Sequence, residues 1–243
     1  MISLPCIYYL SKNKHFYTYQ DSWNGMNGII IFDYDGTIID SLDTFMELFL
    51  TACQNEKNCP ISTPTEFLDL FQGNMFEKMM QRGMTKESIL RVVYQVRDGL
   101  YAHHSTLSTF PGIKKAIEDL SKKHKLYIIT SNDTNVVKDF LHIKKLEFFI
   151  DIYGSDKGAS KVDKIQHINQ QIQHGEVFYV GDTVGDIIEG KQAGVTTIGV
   201  TWGWHSDYQL KQSAPNYIVN TPQELVDILS SNKTSPLSKT NQH

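Results

Sequence analysis

Four short polar stretches hold the residue types that chemistry on a charged group requires. They are Asp33, Asp35 and Thr37 in "FDYDGT", Ser131 and Asn132 in "TSN", Lys161 in "ASK", and Asp182 and Asp186 in "GDTVGD". Three carboxylates brought together, Asp33, Asp35 and Asp182, repel one another unless a hard cation joins them. A few oxygen ligands, with water and a phosphate completing the shell, suit Mg²⁺. One lysine and one hydroxyl facing that cation complete a pocket for a dianionic phosphoryl group, whose equatorial oxygens need neutralising for transfer. Taken alone, however, Asp35-Gly36 between two apolar runs is equally a signal for a tight hairpin turn.

The elements that must position these residues are legible around them. "GIIIF" (28–32) reads as a buried central strand by its continuous β-branched run. From about 41 to 108 the pattern is helical. Leu42, Phe45, Met46, Phe49, Ala52 and Cys53 fall at helical spacing, and Thr63, Pro64 and Glu66 form a helix start with a capping box. Asn74 opens a further helix, and Ile89, Val92, Val93, Val96 and Leu100 line one face of another. After 111, helices alternate with the strands "KLYIIT", "FFIDIYGS", "EVFYVGD", "TTIGVTWG" and "NYIV". Such alternation implies βαβ units and a parallel sheet covered on both faces. Strand ends of one polarity share an edge in such a sheet, so the four polar clusters become neighbours there, where open α/β sheets bind ligands. That convergence is what the hairpin reading does not explain.

Composition sets the frame. The chain has 243 residues, 40% hydrophobic and 21% charged, enough for one full core plus a smaller inserted module. A formal net charge of −4 argues against a nucleic-acid footprint, and the basic run "SKKHK" (121–125) is expected at an exposed helix end. Cys6, Cys53 and Cys59 form no CxxC pair, which disfavours a disulfide framework or a zinc site and makes the reducing cytoplasm the expected compartment. No stretch has the length of a membrane span, and the apolar patch at 4–10 makes a poor signal peptide. No GxGxxG follows the first strand, which disfavours a dinucleotide site.

"DYDGT", "TSN", "SK" and "GDTVGD", in that order, resemble the four motifs of the haloacid dehalogenase (HAD) superfamily. With "FPGIKKAIEDL", "QAGVTTIGVTWGW" and "PNYIVNTPQELVDIL", the similarity is to its phosphoglycolate phosphatase-like branch, over about residues 28–230. The resemblance implies a three-layer, Rossmann-like α/β core with an inserted helical cap of the C1 type. The implied division is core at 28–40 and 109–230 and cap at 41–108, flanked by an N-terminal extension (1–27) and a disordered tail (231–243). Met26 is an alternative start.

The function implied is Mg²⁺-dependent hydrolysis of a small phosphate monoester through an aspartyl-phosphate, by a monomer or homodimer that binds neither nucleic acid nor membrane. Asp33 takes the role of nucleophile and Asp35 that of general acid and then base. Asp33, the Asp35 backbone carbonyl and Asp182 hold the metal, with Asp186 as an outer ligand. Ser131 and Asn132 serve the phosphate, Lys161 balances its charge, and Thr37 braces the first motif. Asp35 favours phosphoryl transfer, because dehalogenase members lack a carboxylate two residues after the nucleophile. A phosphomutase of β-phosphoglucomutase type and a non-catalytic phosphate-binding or regulatory protein are the alternatives.

Blander roles compete at several positions. Asp133 or its neighbours can cap a helix, Lys157 and Lys164 rival Lys161, and Trp202 and Trp204 are expected to pack rather than stack on a ligand. Met75, Met79, Met80 and Met84 read as core filler. Gln72, Asn74 and Arg82 in the cap are candidate substrate contacts, against a helix cap for Asn74 and a solvated charge for Arg82.

Overall fold

The structure, a computed structural model, describes residues 27–158, 160–172 and 175–230. The expectations for the N-terminal extension, for Met26 as a start and for the tail lie outside these residues. Six strands form one parallel sheet: β1 (Gly28–Phe32), β4 (His124–Ile129), β5 (Phe149–Tyr153), β6 (Glu176–Gly181), β7 (Thr196–Val200) and β8 (Tyr217–Val219), in the order β5-β4-β1-β6-β7-β8. The run "GIIIF" is buried at all five positions because β1 lies at the centre of this sheet. Its alternate residues feed opposite faces. Ile30 and Phe32 join the core that includes Leu126, Ile128, Phe178 and Val180, while Ile29 and Ile31 join Tyr127, Ile129, Val177 and Tyr179.

Helices cover both faces: α5 (Ile113–Ser121), α6 (Thr134–Lys144), α7 (Lys161–Asn169), α8 (Val184–Gln192), α9 (Asp207–Gln212) and α10 (Pro222–Ser230). From β1 the chain builds outward through β4 and β5, then crosses to β6 and builds the other way. The order therefore reverses at the carboxyl end of β1, where a crevice opens in such sheets. Asp33 is the first residue beyond that end.

Between β1 and β4 the chain leaves through a two-stranded antiparallel stem, β2 (Ile39–Asp40) with β3 (Ser108–Thr109), which no periodicity foretold. The stem carries α1 (Leu42–Asn55), α2 (Pro64–Asp69), α3 (Met75–Gln81) and α4 (Lys86–His103). Thr63 and Glu66 close the expected capping box on α2, and Gly83 ends the α3 segment with φ +92°. Phe49, Phe67, Leu70, Met79, Ile89 and Val92 give this helical unit a core of its own, to which Trp204, from beyond β7, also belongs.

The run 121–125 is not all helix end. α5 stops at Ser121, and β4 begins at His124, so His124 and Lys125 are buried in the sheet.

Candidate active site

Asp33 leaves β1 with its N–H still bonded to the carbonyl of Val180 in β6, at 2.8 Å. That bond fixes its carboxylate at the sheet's switch point. A tight turn follows, with Gly36 N–H bonded to Ile39 O at 2.9 Å and Gly36 at φ +76°. A side chain there is strained and has no room, since a Cβ would lie 2.1 Å from Asp182 Oδ2. The turn lets the first motif close on the carboxylate that follows β6.

Lys161, the first residue of α7, reaches across this edge. Its Nζ donates to Asp33 Oδ1 and to Asp186 Oδ1, each at 2.8 Å. Lys157 pairs instead with Asp151, and Lys164 donates to the carbonyl of Gly154. Geometry thus selects one lysine of the three.

Asp186 sits at the third position of α8 in a capping box with Thr183, receiving both its N–H and its hydroxyl on Oδ2. Tyr179 donates to Oδ1 at 2.9 Å beside Lys161. Burial alone would raise its pKa, but Lys161 and these donors hold the carboxyl below the usual range. Gly181 makes the fit possible, because a Cβ there would fall 2.4 Å from Asp186 Cβ.

Asp182 receives Thr37 Oγ1 on Oδ1 and the Trp204 N–H on Oδ2, each at 2.8 Å. Thr37 therefore ties the first motif to the carboxylate that follows β6. Burial, with the Asp186 charge beside it, pushes Asp182 up to about 8. Burial likewise raises Asp33 well above the usual range, against the pull of Lys161.

Asp33, Asp182 and Asp186 each offer an oxygen, all within 4.8 Å of one another. Two of these buried acids resist ionisation, and all three supply hard oxygen donors, a set that fits a divalent cation such as Mg²⁺. Asp186, already meeting a lysine, a tyrosine and a threonine, suits an outer role.

The sign of the linkage can be measured. Asp182's folded pKa is raised, so the stability it contributes is full below its unfolded value and is lost as pH rises through about 8. Metal binding needs the ionised form, so Mg²⁺ is expected to raise the melting temperature more at pH 8 than at pH 6. Equal gains at both pH values would contradict this fit.

Asp35 stands apart from that cluster and is held by two donors. Ser41 Oγ reaches Oδ1 at 2.8 Å and Asn132 Nδ2 reaches Oδ2 at 2.6 Å. Burial raises its pKa to about 6, against Ser41 and Lys161. A carboxyl poised there can give and take a proton near neutrality. Asn132 thus orients Asp35, while neighbouring Ser131 is exposed to solvent and Asp133 caps α6.

The helical-unit candidates are placed differently. Asn74 caps α3 by accepting from Glu77 N–H, and Arg82 pairs with Asp69 and reaches the carbonyl of Glu66. Gln72 and Arg82 line a cavity of about 360 Å³ with Thr65, Glu66, Leu68, Asp69 and Gln209. None of the motif residues lines that cavity. The helical unit's backbone packs on the start of α8, where a Cβ on Gly185 would lie 2.9 Å from Gly73 O and 3.0 Å from Phe71 O.

Ser41, Tyr179, Trp204 and His205 went unforeseen as site partners. Only the Thr183/Asp186 box had a local signal, its three-residue spacing.

Residues 30–200 match the family described as haloacid dehalogenase-like hydrolase. The chain is 26% identical over 203 residues to a phosphoglycolate phosphatase of Synechococcus elongatus, covering 81% of this chain and 94% of that one. It is also 26% identical over 214 residues to the pyrophosphatase PpaX of Anoxybacillus flavithermus, covering 82% and 95%. Among solved structures, a haloacid dehalogenase-like family hydrolase from Streptococcus pneumoniae superposes with a TM-score of 0.69 at 28% identity, over 84% of this chain and 98% of that one.

Proposed function

The chain belongs to the haloacid dehalogenase-like hydrolase family and is a phosphatase of that family, and from that premise we propose that it hydrolyses a small phosphate monoester with Mg²⁺, through an aspartyl-phosphate on Asp33. The observation that carries this reading is the division of labour between two carboxylates two residues apart. Asp33 is bonded to Lys161 within the acidic cluster, whereas Asp35 is bonded to neutral donors and has a pKa near 6.

In the first step an Asp33 oxygen attacks phosphorus and the bond to the leaving oxygen breaks, while Asp35 passes its proton to that oxygen. In the second, Asp35, now a carboxylate, takes a proton from water as that water attacks phosphorus. The bond to Asp33 breaks, inorganic phosphate leaves, and both acids return to their starting states. Mg²⁺, when bound, supplies positive charge at the phosphoryl oxygens. Asp33 and Asp182 would hold it, with the Asp35 carbonyl and, through an outer contact, Asp186. Lys161 favours the ionised form of Asp33 against the effect of burial, and it neutralises the incoming dianion. Ser131 hydrogen-bonds a phosphate oxygen, and Asn132 keeps Asp35 aimed at the leaving group.

The helical unit acts as a cap that excludes water over this edge. The named relatives split between phosphoglycolate and pyrophosphate at equal identity, so similarity leaves the leaving group open. A panel of phosphoglycolate, sugar phosphates, nucleotides, phosphotyrosine and pyrophosphate, assayed with Mg²⁺ and with EDTA, tests the assignment. Release of phosphate from at least one ester, abolished by EDTA, is expected; no release across the panel would sink it.

The acid role carries its own signature. With Asp35 needed in its protonated form, kcat/KM for an alkyl phosphate is expected to fall as pH rises through about 6. Asp35→Asn should remove that limb along with most of the rate, and an unchanged pH profile in that variant would refute the role.

A further inference from the structure

The segment between β7 and α9 touches the carboxylate cluster and the helical unit's core at once. On the core side, Trp204 N–H donates to Asp182 Oδ2 at 2.8 Å and His205 N–H to the carbonyl of Asp182 at 3.3 Å. Trp202 Nε1 donates to the carbonyl of Thr37, whose own hydroxyl holds Asp182 Oδ1. Gly203 presses so closely on Asp182 that a Cβ would lie 2.3 Å from its Cβ.

On the other side, the Trp204 ring leaves the sheet's core for that of the helical unit. Its centroid lies 4.7 Å from Phe71, 5.1 Å from Phe45 and 5.7 Å from Phe67. Its Nε1 is buried with no partner among the described residues, so aromatic packing rather than a hydrogen bond seats the ring. His205 runs alongside. Its Nδ1 accepts from Val184 N–H at the start of α8, which leaves Nε2 to donate to the carbonyl of Leu68 in α2.

We infer that Trp204 is a positioning residue that ties the seating of the helical unit to the orientation of Asp182. One residue supplies both contacts, a ring in the helical unit's core and an N–H on the carboxylate. Were the helical unit to lift away, either the ring would go with it and Asp182 would lose its Oδ2 donor, or the ring would stay and the aromatic nest would lose its central member. Both losses oppose opening, and the first leaves the carboxylate held at Oδ1 alone. The affinity of the site for its metal therefore depends on the helical unit being docked. This rests on the assignment of Asp182 as a Mg²⁺ ligand.

The test is Mg²⁺ affinity, read by isothermal titration calorimetry on the full chain at fixed pH. The variants are Trp204→Ala, Trp204→Phe, Phe71→Leu and Asp182→Asn. Asp182→Asn is expected to lose binding. Trp204→Ala keeps the backbone N–H but not the ring, and its Kd is expected to rise about tenfold, the scale of an outer-shell partner's loss. Trp204→Phe, which keeps a ring, should recover most of that.

Phe71→Leu disturbs the ring's seat from the helical side without touching a carboxylate, so a weaker Kd in that variant supports the coupling even if Trp204→Ala does not fold. A purely structural role would lower the melting temperature and leave Kd unmoved. Unchanged Kd in folded Phe71→Leu, with binding lost in Asp182→Asn, overturns the inference alone. No Mg²⁺ binding by the wild type, or wild-type binding by Asp182→Asn, overturns the metal assignment and the inference with it.

Discussion

Asp33→Asn is expected to lower turnover of a phosphate monoester by on the order of 10⁵-fold or more, the scale seen when a catalytic nucleophile is removed. Asparagine keeps the shape of the side chain, and its amide cannot form the acyl-phosphate. The fold has reason to survive the change. Burial raises the Asp33 pKa despite Lys161, so at neutral pH its charge is a net burden on the folded state. The variant should therefore melt no lower than the wild type when both are metal-free. Lost activity with retained stability would separate a chemical role from a structural one. Turnover within tenfold of wild type would remove Asp33 as the nucleophile, and a steep fall in melting temperature would make the lost rate uninformative about chemistry.

Lys161→Met is expected to strike stability and activity together. Its ammonium joins Asp33 to Asp186, and Asp186 and Asp33 raise its pKa well above the usual value against the lowering effect of burial. Methionine leaves three acids clustered at the edge of β1 and β6 without a cation. Stranding a buried charge in this way costs about 3–5 kcal/mol.

The pH dependence of that loss has a definite sign. Acids without a cation have folded pKa values above their unfolded ones, so stability is present at low pH and is lost as pH rises through the folded values. The melting temperature of Lys161→Met should accordingly approach that of the wild type on acidification. Mg²⁺ should restore part of it at neutral pH by supplying the missing charge. A variant as stable as the wild type at pH 8 without metal would show that Lys161 does not hold the cluster together. Lys157→Met is the control, because its partner Asp151 is surface-lying and exposed pairs contribute about 0–1 kcal/mol.

Much of the fold was legible because it is written in short-range terms. The isoleucine run specified β1, and the spacing of Thr63 and Glu66 announced a helix start. Helix and strand signals of this kind act over a few residues, where the side chains that interact are near in sequence. Where locality ended, so did legibility. The two-residue strands β2 and β3 have no period to read and exist because the chain must leave and re-enter the core at one place. The pairing of Arg82 with Asp69, 13 residues earlier, has no local signal either. Trp204 was correctly expected to pack, yet not in the core of the helical unit rather than that of the sheet.

By itself, then, the sequence determined the inventory of reactive groups, their order along the chain and the strands whose ends carry them. The tertiary structure alone decided which of three lysines meets Asp33, that Thr37 serves Asp182, and that Asp35 is held apart by Ser41 and Asn132. The Lys161–Asp33 bond joins residues 128 positions apart. No local propensity encodes such a pair. It forms because a parallel sheet gathers distant strand ends at one edge, where buried charges must find partners.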